Sequence, residues 1–148
     1  MFANFLVYRN LRRTFGEAER EQWEAVPEEF RPPRSGKWLL DARRTVALAD
    51  AADRQGLLHN VFDAFSEEGW TEDTVLAWTW LEVRPDEAGR ERMAVMVGSH
   101  LLGVVAEDGG KKVRKQIRRQ ARKDAVVWVS TWVERDQDGR YVAAVGLS

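Results

Sequence analysis

The segment of this chain that is richest in chemically useful side chains is residues 111–123, where eight of thirteen residues are basic and none is acidic. Basic side chains clustered in this way bind phosphate groups. Like charges at positions i and i+4 destabilise a helix by about 0.2–0.5 kcal/mol per pair, so a purely structural helix would gain from interspersed acidic residues. Their absence predicts that an anionic partner supplies the opposite charge, with nucleic acid favoured. The predicted phosphate contacts are Lys111, Lys112, Arg114, Lys115, Arg118, Arg119, Arg122 and Lys123.

Two other interpretations of this basic segment stay open on sequence alone. In one, the acidic stretch 17–29 lies against the basic residues and neutralises them. In the other, the basic face is simply solvated. A membrane surface is disfavoured, because the apolar stripe formed by Val113, Ile117 and Ala121 has no large side chain for insertion.

Tryptophan is the second residue type that could carry function, with seven copies in 148 residues. Trp78 and Trp80, and likewise Trp128 and Trp132, lie at same-face spacing on predicted strands. Exposed aromatic rings on a sheet can stack on unpaired bases, whereas pairs of tryptophans in strands more often fill a core. We expect most of them to be buried and one or two exposed, with Trp128 or Trp132 preferred for stacking and Trp78 or Trp80 next.

No catalytic motif is present in the sequence. It contains no GxSxG, P-loop, HExxH or GxGxxG pattern. The absence of cysteine excludes disulfides, thiol catalysis and thiolate metal sites, and with only His59 and His100 a histidine-built zinc site is disfavoured. We therefore predict a protein that is not an enzyme, with no catalytic residues, metal or cofactor. An enzyme would need a cleft in which His59 or His100 lies beside two acids.

Length and composition suit one soluble domain, or one domain with an extension. Hydrophobic residues make up 44% of the chain and charged residues 32%, which is enough apolar material to bury a core. No apolar run reaches the ~20 residues needed to cross a bilayer, and the N-terminal segment lacks the pattern of a secretory signal. We expect a cytoplasmic protein without membrane association.

The charge is unevenly distributed along the chain. Residues 109–148 contain ten basic and four acidic residues, a balance of +6, whereas residues 1–108 contain thirteen basic and twenty acidic residues, a balance of −7. This asymmetry predicts either a polarised surface with one face for an anionic partner, or two halves that neutralise each other.

The breaker-rich stretch 32–36 is the best candidate for a domain boundary. Before it, residues 4–13 alternate weakly, as in a strand, and the acidic stretch 17–29 is typical of a short solvated helix. We predict an N-terminal extension over residues 1–36 and a compact domain over residues 37–148.

Periodicity places the elements that must position the basic segment. Apolar residues recur at helical spacing over 56–68, with Gly69 at the place of a C-terminal cap, and residues 45–49 are either a strand or the start of a helix. No internal repeat is visible. Alternating and β-branched runs predict strands at 75–84, 93–97, 101–106, 126–133 and 141–147. The basic helix at 111–123 lies between the strands at 101–106 and 126–133.

Residues 46–65 and 83–107 resemble the core of the HIRAN domain. The first stretch has the order strand, short loop with a glutamine, and helix. The second has a strand, a proline-containing loop, an AVxV strand at Ala94–Val97, a glycine-containing turn and an hLVGhh strand at His100–Val105. A helix and two closing strands follow, so the resemblance covers about residues 45–147. Asp50 stands where the first strand of the family usually ends in glycine.

HIRAN domains are small β-barrels with two helices, found with helicases and nucleases and also alone in bacteria. The best-understood members bind single-stranded DNA with a preference for a 3′ end. The resemblance therefore implies the same fold and ligand class here.

These observations lead to one expected fold and two expected functions. The fold is α+β: a small antiparallel β-barrel-like sheet of five or six strands with two helices and an N-terminal extension. The leading function is a non-enzymatic nucleic-acid-binding module, for single-stranded DNA or its 3′ end, that uses the basic helix and strand aromatics. The alternative is a protein–protein interaction subunit or inhibitor that docks through its polarised acidic and basic surface.

Overall fold

The computed structural model describes residues 27–31, 36–38, 44–66, 72–105 and 111–147. These residues form seven strands and two α-helices, with short 3-10 turns at Glu28–Phe30 and Ala51–Arg54. In chain order the elements are β1 (Gly36–Trp38), β2 (Arg44–Ala49), α1 (Gln55–Ala64), β3 (Thr74–Pro85), β4 (Glu91–Val97), β5 (His100–Val105), α2 (Lys111–Ala121), β6 (Val126–Arg135) and β7 (Tyr141–Leu147).

Six of the strands close into an antiparallel barrel. Their order is β6-β3-β4-β5-β2-β7, and pairing between β6 and β7 closes the ring. β1 is a parallel partner of β6, from Gly36 against Val126 to Trp38 against Trp128, before the residues of β6 that pair with β7. The predicted fold class, a small antiparallel barrel with two helices, is confirmed.

Alternation of side chains along the long strands explains why the barrel closes around a dry core. The odd-numbered residues from 75 to 81 on β3 and from 127 to 133 on β6 are almost completely buried, and neighbouring strands contribute more aliphatic side chains to the same cluster. Two buried threonines interrupt this apolar set. Thr79 Oγ1 donates to the Val129 carbonyl at 2.7 Å and lies 2.8 Å from Thr131 Oγ1, so both hydroxyls are satisfied.

Helix α1 buries Leu58, Val61 and Phe62 and contacts β3, β6 and β7. It ends at Ala64, whereas the sequence predicted a helix to residue 68. The difference arises because Phe65 leaves helical geometry and is fully buried in the core. Gly69, the predicted cap, lies outside the described residues. Residues 44–49 form a strand, which decides between the two possibilities left open for that stretch.

Helix α2 lies against β3 and β6 and buries Val113, Ile117 and Gln120. The predicted stripe of Val113, Ile117 and Ala121 is therefore wrong at its last position, since Ala121 is exposed. Gln120 is closer than Ala121 to the centre of the packed face, because it lies seven residues after Val113 and three after Ile117.

The end of α2 also differs from the prediction, which carried the helix to residue 123. The backbone N–H of Ala125 donates to the Gln120 carbonyl at 2.9 Å, and that of Asp124 donates to the Ala121 carbonyl at 3.1 Å. These are the bonds of a Schellman cap, which requires a left-handed residue, and Asp124 has φ of 55°.

The two halves of the barrel repeat one pattern, strand–helix–strand–strand: β2-α1-β3-β4 and then β5-α2-β6-β7. Exchanging β2 with β5, β3 with β6 and β4 with β7 leaves every neighbour in the ring unchanged. The register agrees as well, since Leu81 pairs with Val95 in the first half just as Thr131 pairs with Val145 in the second. The expectation of no internal repeat is therefore wrong: the chain contains a structural duplication with pseudo-twofold symmetry.

The hairpin loops of the two halves show the duplication most directly. The loops at 86–90 and 136–140 both read Asp-x-x-Gly-Arg. In each, Oδ1 of the aspartate accepts backbone N–H bonds from residues two and four positions later, at 2.8–2.9 Å. Gly89 and Gly139 have φ of 79° and 78°, a conformation that glycine adopts without strain. One loop signature therefore builds both turns.

Part of the segment before β1 packs on the turn between β4 and β5. Phe30 is buried in the main core although it precedes the predicted boundary at residue 36. The Glu29 carbonyl oxygen lies 1.8 Å from where a Cβ on Gly98 would be, so only glycine fits at this turn position. The predicted strand 4–13 and most of the predicted helix 17–29 lie outside the described residues.

Candidate nucleic-acid interface

The predicted basic contacts share one helix, and its packing decides which of them reach solvent. Because Val113, Ile117 and Gln120 face the sheet, the other sides of α2 are left to the charged residues. Arg114 is half-buried. The remaining predicted contacts are exposed: Lys111, Lys112, Lys115, Arg118, Arg119, Arg122 and Lys123.

Six of the eight predicted contacts, Arg114 among them, border one open groove of about 730 Å³, here called the basic groove. Lys112 and Lys123, which lie on the far flank of the helix, do not line it. The lining residues are Glu91, Lys111, Arg114, Lys115, Arg118, Arg119 and Arg122. The structure thus brings most of the predicted phosphate contacts together on one surface.

Glu91 lines the basic groove and was not among the predicted site residues. It begins β4, and Nη2 of Arg118 donates to both oxygens of its carboxylate, at 2.6 and 2.5 Å. Among the described residues it is the one acid that lines the basic groove. Its position could not be read from the sequence, because nothing local to residue 91 shows that α2 crosses beside the start of β4.

Burial divides the four tryptophans that were predicted to stack on bases. Trp132 is 0% exposed and Trp78 is 8% exposed, so the prediction of an accessible ring is wrong for both. Neither ring can therefore stack on a ligand in the folded structure. Trp80 and Trp128 are half-buried and keep one accessible side. The ring of Trp128 packs against that of Trp78, with centroids 6.1 Å apart.

Trp80 borders an apolar cleft of about 220 Å³ beside the C-terminal end of α2, here called the Trp80 cleft. Its indole N–H donates to the Gly98 carbonyl at 2.9 Å, which fixes the ring in place. The cleft and the basic groove are adjacent, since Ile117 and Ala121 of the cleft lie three residues after Arg114 and Arg118 of the groove, the spacing of neighbours on a helix surface. The residues that line the cleft are Trp80, Leu81, Glu82, Ile117, Ala121, Ala125 and Val126.

The two histidines lie away from both the groove and the cleft. His59 Nδ1 is 2.6 Å from the Tyr141 hydroxyl, and its Nε2 is 3.3 Å from an oxygen of Asp63. His100 packs edge-on against Phe30, with one carboxylate nearby. Neither histidine is placed beside two acids by these contacts. Among the residues that the structure describes, no group of three or more His, Asp or Glu is arranged to hold a metal ion.

The described part of the acidic stretch does not lie on α2. Glu29 reaches His100 at 3.9 Å, on the turn between β4 and β5. The rest of that stretch, residues 17–26, is outside the described residues, so neutralisation of the basic helix by it stays a hypothesis.

The loop beside the groove has an electrostatic feature of its own. The backbone N–H of Arg90 donates to the Asp86 carboxylate and lowers the pKa of that group, and the guanidinium of Arg92 at 3.2 Å adds to the effect. Asp86 is therefore ionised in the folded state and holds the hairpin next to Glu91.

Comparison with protein-family models, with curated proteins and with solved structures found no match to this chain. None of the helices that the structure describes is long and apolar enough to cross a membrane.

Proposed function

We propose that this protein binds single-stranded nucleic acid, with single-stranded DNA as the favoured ligand, through the basic groove on α2. The observation that carries the proposal is the groove itself, in which six cationic side chains of one helix face a common space of about 730 Å³ with a single described acid. Lys and Arg in such an arrangement neutralise backbone phosphates, and that interaction supplies most non-specific affinity for nucleic acid.

A single strand is favoured over a duplex because of the neighbouring aromatic ring. Proteins that bind single strands combine a positive groove along the backbone with aromatic side chains on which bases stack. Trp80 lies next to the groove, and its hydrogen bond to Gly98 holds the ring rigid before any ligand arrives. The resemblance to HIRAN domains supports the same ligand class. No step in this function requires a catalytic residue or a cofactor.

Salt-dependent binding tests the proposal. We expect labelled single-stranded DNA to bind in a fluorescence anisotropy titration. If four to six phosphates are contacted, log K against log salt has a slope of about −2.8 to −4.2, which corresponds to about a 50- to 300-fold loss of affinity between 50 and 200 mM salt. No binding at low salt, or binding without this dependence, would sink the proposal.

Two double variants of α2 separate the groove from general electrostatic attraction. Lys115→Gln with Arg119→Gln removes two charges that line the groove, whereas Lys112→Gln with Lys123→Gln removes two charges from its far flank. The net charge of the two proteins is the same. We expect the groove variant to reduce the salt slope by about 1.4 and the flank variant to change it much less. Equal effects would mean that the net charge of the protein, not the groove, attracts the ligand.

The alternative function, docking on another protein, predicts a different pattern. If this function is correct, the unmodified protein does not bind nucleic acid. Replacing Arg118, Arg119 and Arg122 with Glu then abolishes its association with the protein partner. The binding titration of the unmodified protein therefore decides first between the two functions.

A further inference from the structure

The outer surface of the barrel can be compared between its two halves, because their strands share one register. Residues fifty positions apart on β3 and β4 and on β6 and β7 are counterparts, since Glu82 pairs with Ala94 just as Trp132 pairs with Ala144. Side chains alternate along a strand, and the odd-numbered neighbours of these residues, such as Val133, belong to the core. The four positions therefore lie on the outer face of the barrel.

The first half presents this face to water. Glu82 and Arg84 form an ion pair at 3.0 Å, and their side chains are 39% and 46% exposed. Arg92, on the neighbouring strand, is exposed as well. Charged side chains of this kind are typical of a sheet surface that nothing covers.

The second half carries an apolar, covered surface at the same positions. Trp132 stands at the position of Glu82 and is 0% exposed, and Val142 stands at the position of Arg92 and is half-buried. Trp132 and its partner Ala144 are fully buried but do not belong to the main core. Neighbours in one sheet stand beside an indole and not over it, so its complete burial requires a further layer on this face.

The described elements do not supply this layer. The apolar residues that α1 and α2 bury belong to the main core, and β1 pairs with β6 from Val126 to Trp128, before the position of Trp132. Residues 67–71 join α1 directly to β3 and are only five residues long. Residues 1–26 are joined to the described structure at one end and are long enough to cross β3, β6 and β7, which together span about 10 Å.

Electrostatics at Glu134 points to the same part of the chain. Glu134 follows Trp132 on the outer face, and its Oε2 is buried without a hydrogen-bond partner among the described residues. Burial raises the pKa of Glu134, the positive charge of the N-terminal amine of the chain lowers it, and the charge of Asp73 raises it. The start of the chain therefore acts electrostatically on this face.

The path from the described structure to this face is short. The segment before β1 packs on the turn at Gly98, whose carbonyl accepts the Trp80 indole N–H. Trp80 pairs with Trp128, and Trp132 lies four residues further along β6, about 13 Å away. Residues 14–26 can span about 43–47 Å when extended, so the stretch before them can reach Trp132.

We propose that residues 4–13, here called the N-terminal strap, lie across β3, β6 and β7 and cover Trp132. The strap alternates so that Phe5, Val7 and Leu11 share one side, and these side chains are the expected contacts. A single strap on a duplicated barrel accounts for one apolar and one charged face at equivalent positions. The strap is thus an integral layer of the fold, and its presence does not depend on nucleic-acid binding.

Cross-linking within the whole chain tests this contact directly, because the sequence has no cysteine of its own. Leu76 is half-buried on the outer face of β3, where it pairs with Trp132. In Val7→Cys with Leu76→Cys, we expect a short bifunctional thiol reagent to link the two positions within one molecule. Val7→Cys with Glu82→Cys is the matched control and should link poorly, since Glu82 lies about 20 Å further along the same strand.

Labelling of a buried thiol gives a second test. Ala144→Cys places the thiol on the covered face, where a thiol reagent should react slowly. Adding Val7→Asp puts a charge into the apolar contact and should speed labelling by about 10-fold or more, because an unpaired charge is not tolerated there. Asn10→Asp adds the same charge on the opposite side of the strap and should leave the rate unchanged. Circular dichroism checks that each variant is folded.

Three results overturn the proposal. The first is equal cross-linking of the Leu76 and Glu82 pairs. The second is a labelling rate that Val7→Asp does not change in a folded protein, which would mean that another segment covers Trp132. The third is a link that forms between molecules and not within one, which would assign the cover to a second copy of the chain.

Discussion

Removal of the carboxylate at Glu91 should strengthen the binding of a polyanion to the basic groove. Arg118 now donates from one nitrogen to both oxygens of Glu91, and the two side chains are 54% and 47% exposed. Exposed ion pairs of this kind contribute about 0.2–1 kcal/mol. A phosphate that pairs with Arg118 must first displace this carboxylate, so Glu91→Gln is expected to raise affinity by about 1.4- to 5-fold.

The salt dependence gives a second, independent measure of the same exchange. With Arg118 released, one more cation is available to a phosphate, so the slope of log K against log salt should become steeper by up to about 0.7. Anisotropy titrations with labelled single-stranded DNA at 50 and 200 mM salt measure both quantities. The slope separates a new phosphate contact from a general change in affinity.

Glu87→Gln is the matched control for this experiment. Glu87 is exposed in the loop between β3 and β4 and does not line the groove, and its replacement changes the net charge by the same amount. We expect it to have little effect on either quantity. The reasoning is refuted if the two variants bind alike, or if Glu91→Gln weakens binding while thermal unfolding shows an intact fold.

Two further predictions concern stability. Asp50 has φ of 67°, a left-handed conformation that costs most L-residues roughly 1–2 kcal/mol. Asp50→Val should therefore lower the free energy of unfolding, measured in urea, by about that amount, and Asp50→Gly should not, because glycine adopts this conformation without strain. Equal losses in the two variants would show that this geometry is unimportant. The backbone N–H of Arg90 lowers the pKa of Asp86, so the contribution of that carboxylate is present above its unfolded pKa of about 4 and is lost as pH falls through the lower folded value. Denaturant unfolding at pH 6 and pH 3 should therefore show a smaller acid-induced loss for Asp86→Asn than for the unmodified protein, and an identical loss would contradict the assignment.

The elements of the barrel were largely predictable, because strand and helix patterns are local. Strand β7 begins and ends where alternation placed it, and the centres of β3, β4, β5 and β6 were predicted, whereas the pattern at β2 allowed either a strand or a helix. The helix ends were not predictable, because they depend on packing against residues far away in the sequence. Phe65 is buried in the core and leaves helical geometry, so α1 ends earlier than predicted. The cap at Asp124 escaped prediction because an aspartate takes a left-handed position usually held by glycine.

The candidate site was predictable in its charges and not in its shape. A segment with eight basic residues among thirteen is recognisable from the sequence alone, and the helix that carries them begins at the predicted residue. Same-face spacing could not say whether a tryptophan faces solvent, since the even-numbered positions of β3 and β6 include both the half-buried Trp80 and the fully buried Trp132. The pairing of Glu91 with Arg118 depends on how α2 crosses the barrel, which no local pattern contains.

The duplication offers an internal control for deciding what the fold requires. Positions that agree between the halves serve the barrel: Ala77 and Val127 both pack inward, and the matched aspartates at 86 and 136 close equivalent loops. Positions that differ are not needed to close it, because the other half closes without them. The cations of α2 belong to this second class, since both helices pack on the barrel through uncharged side chains and α1 does so without a basic residue beside them. The fold therefore does not require their mutual repulsion, which Glu91 offsets only at Arg118 and which the proposed anionic ligand would offset at the other cations.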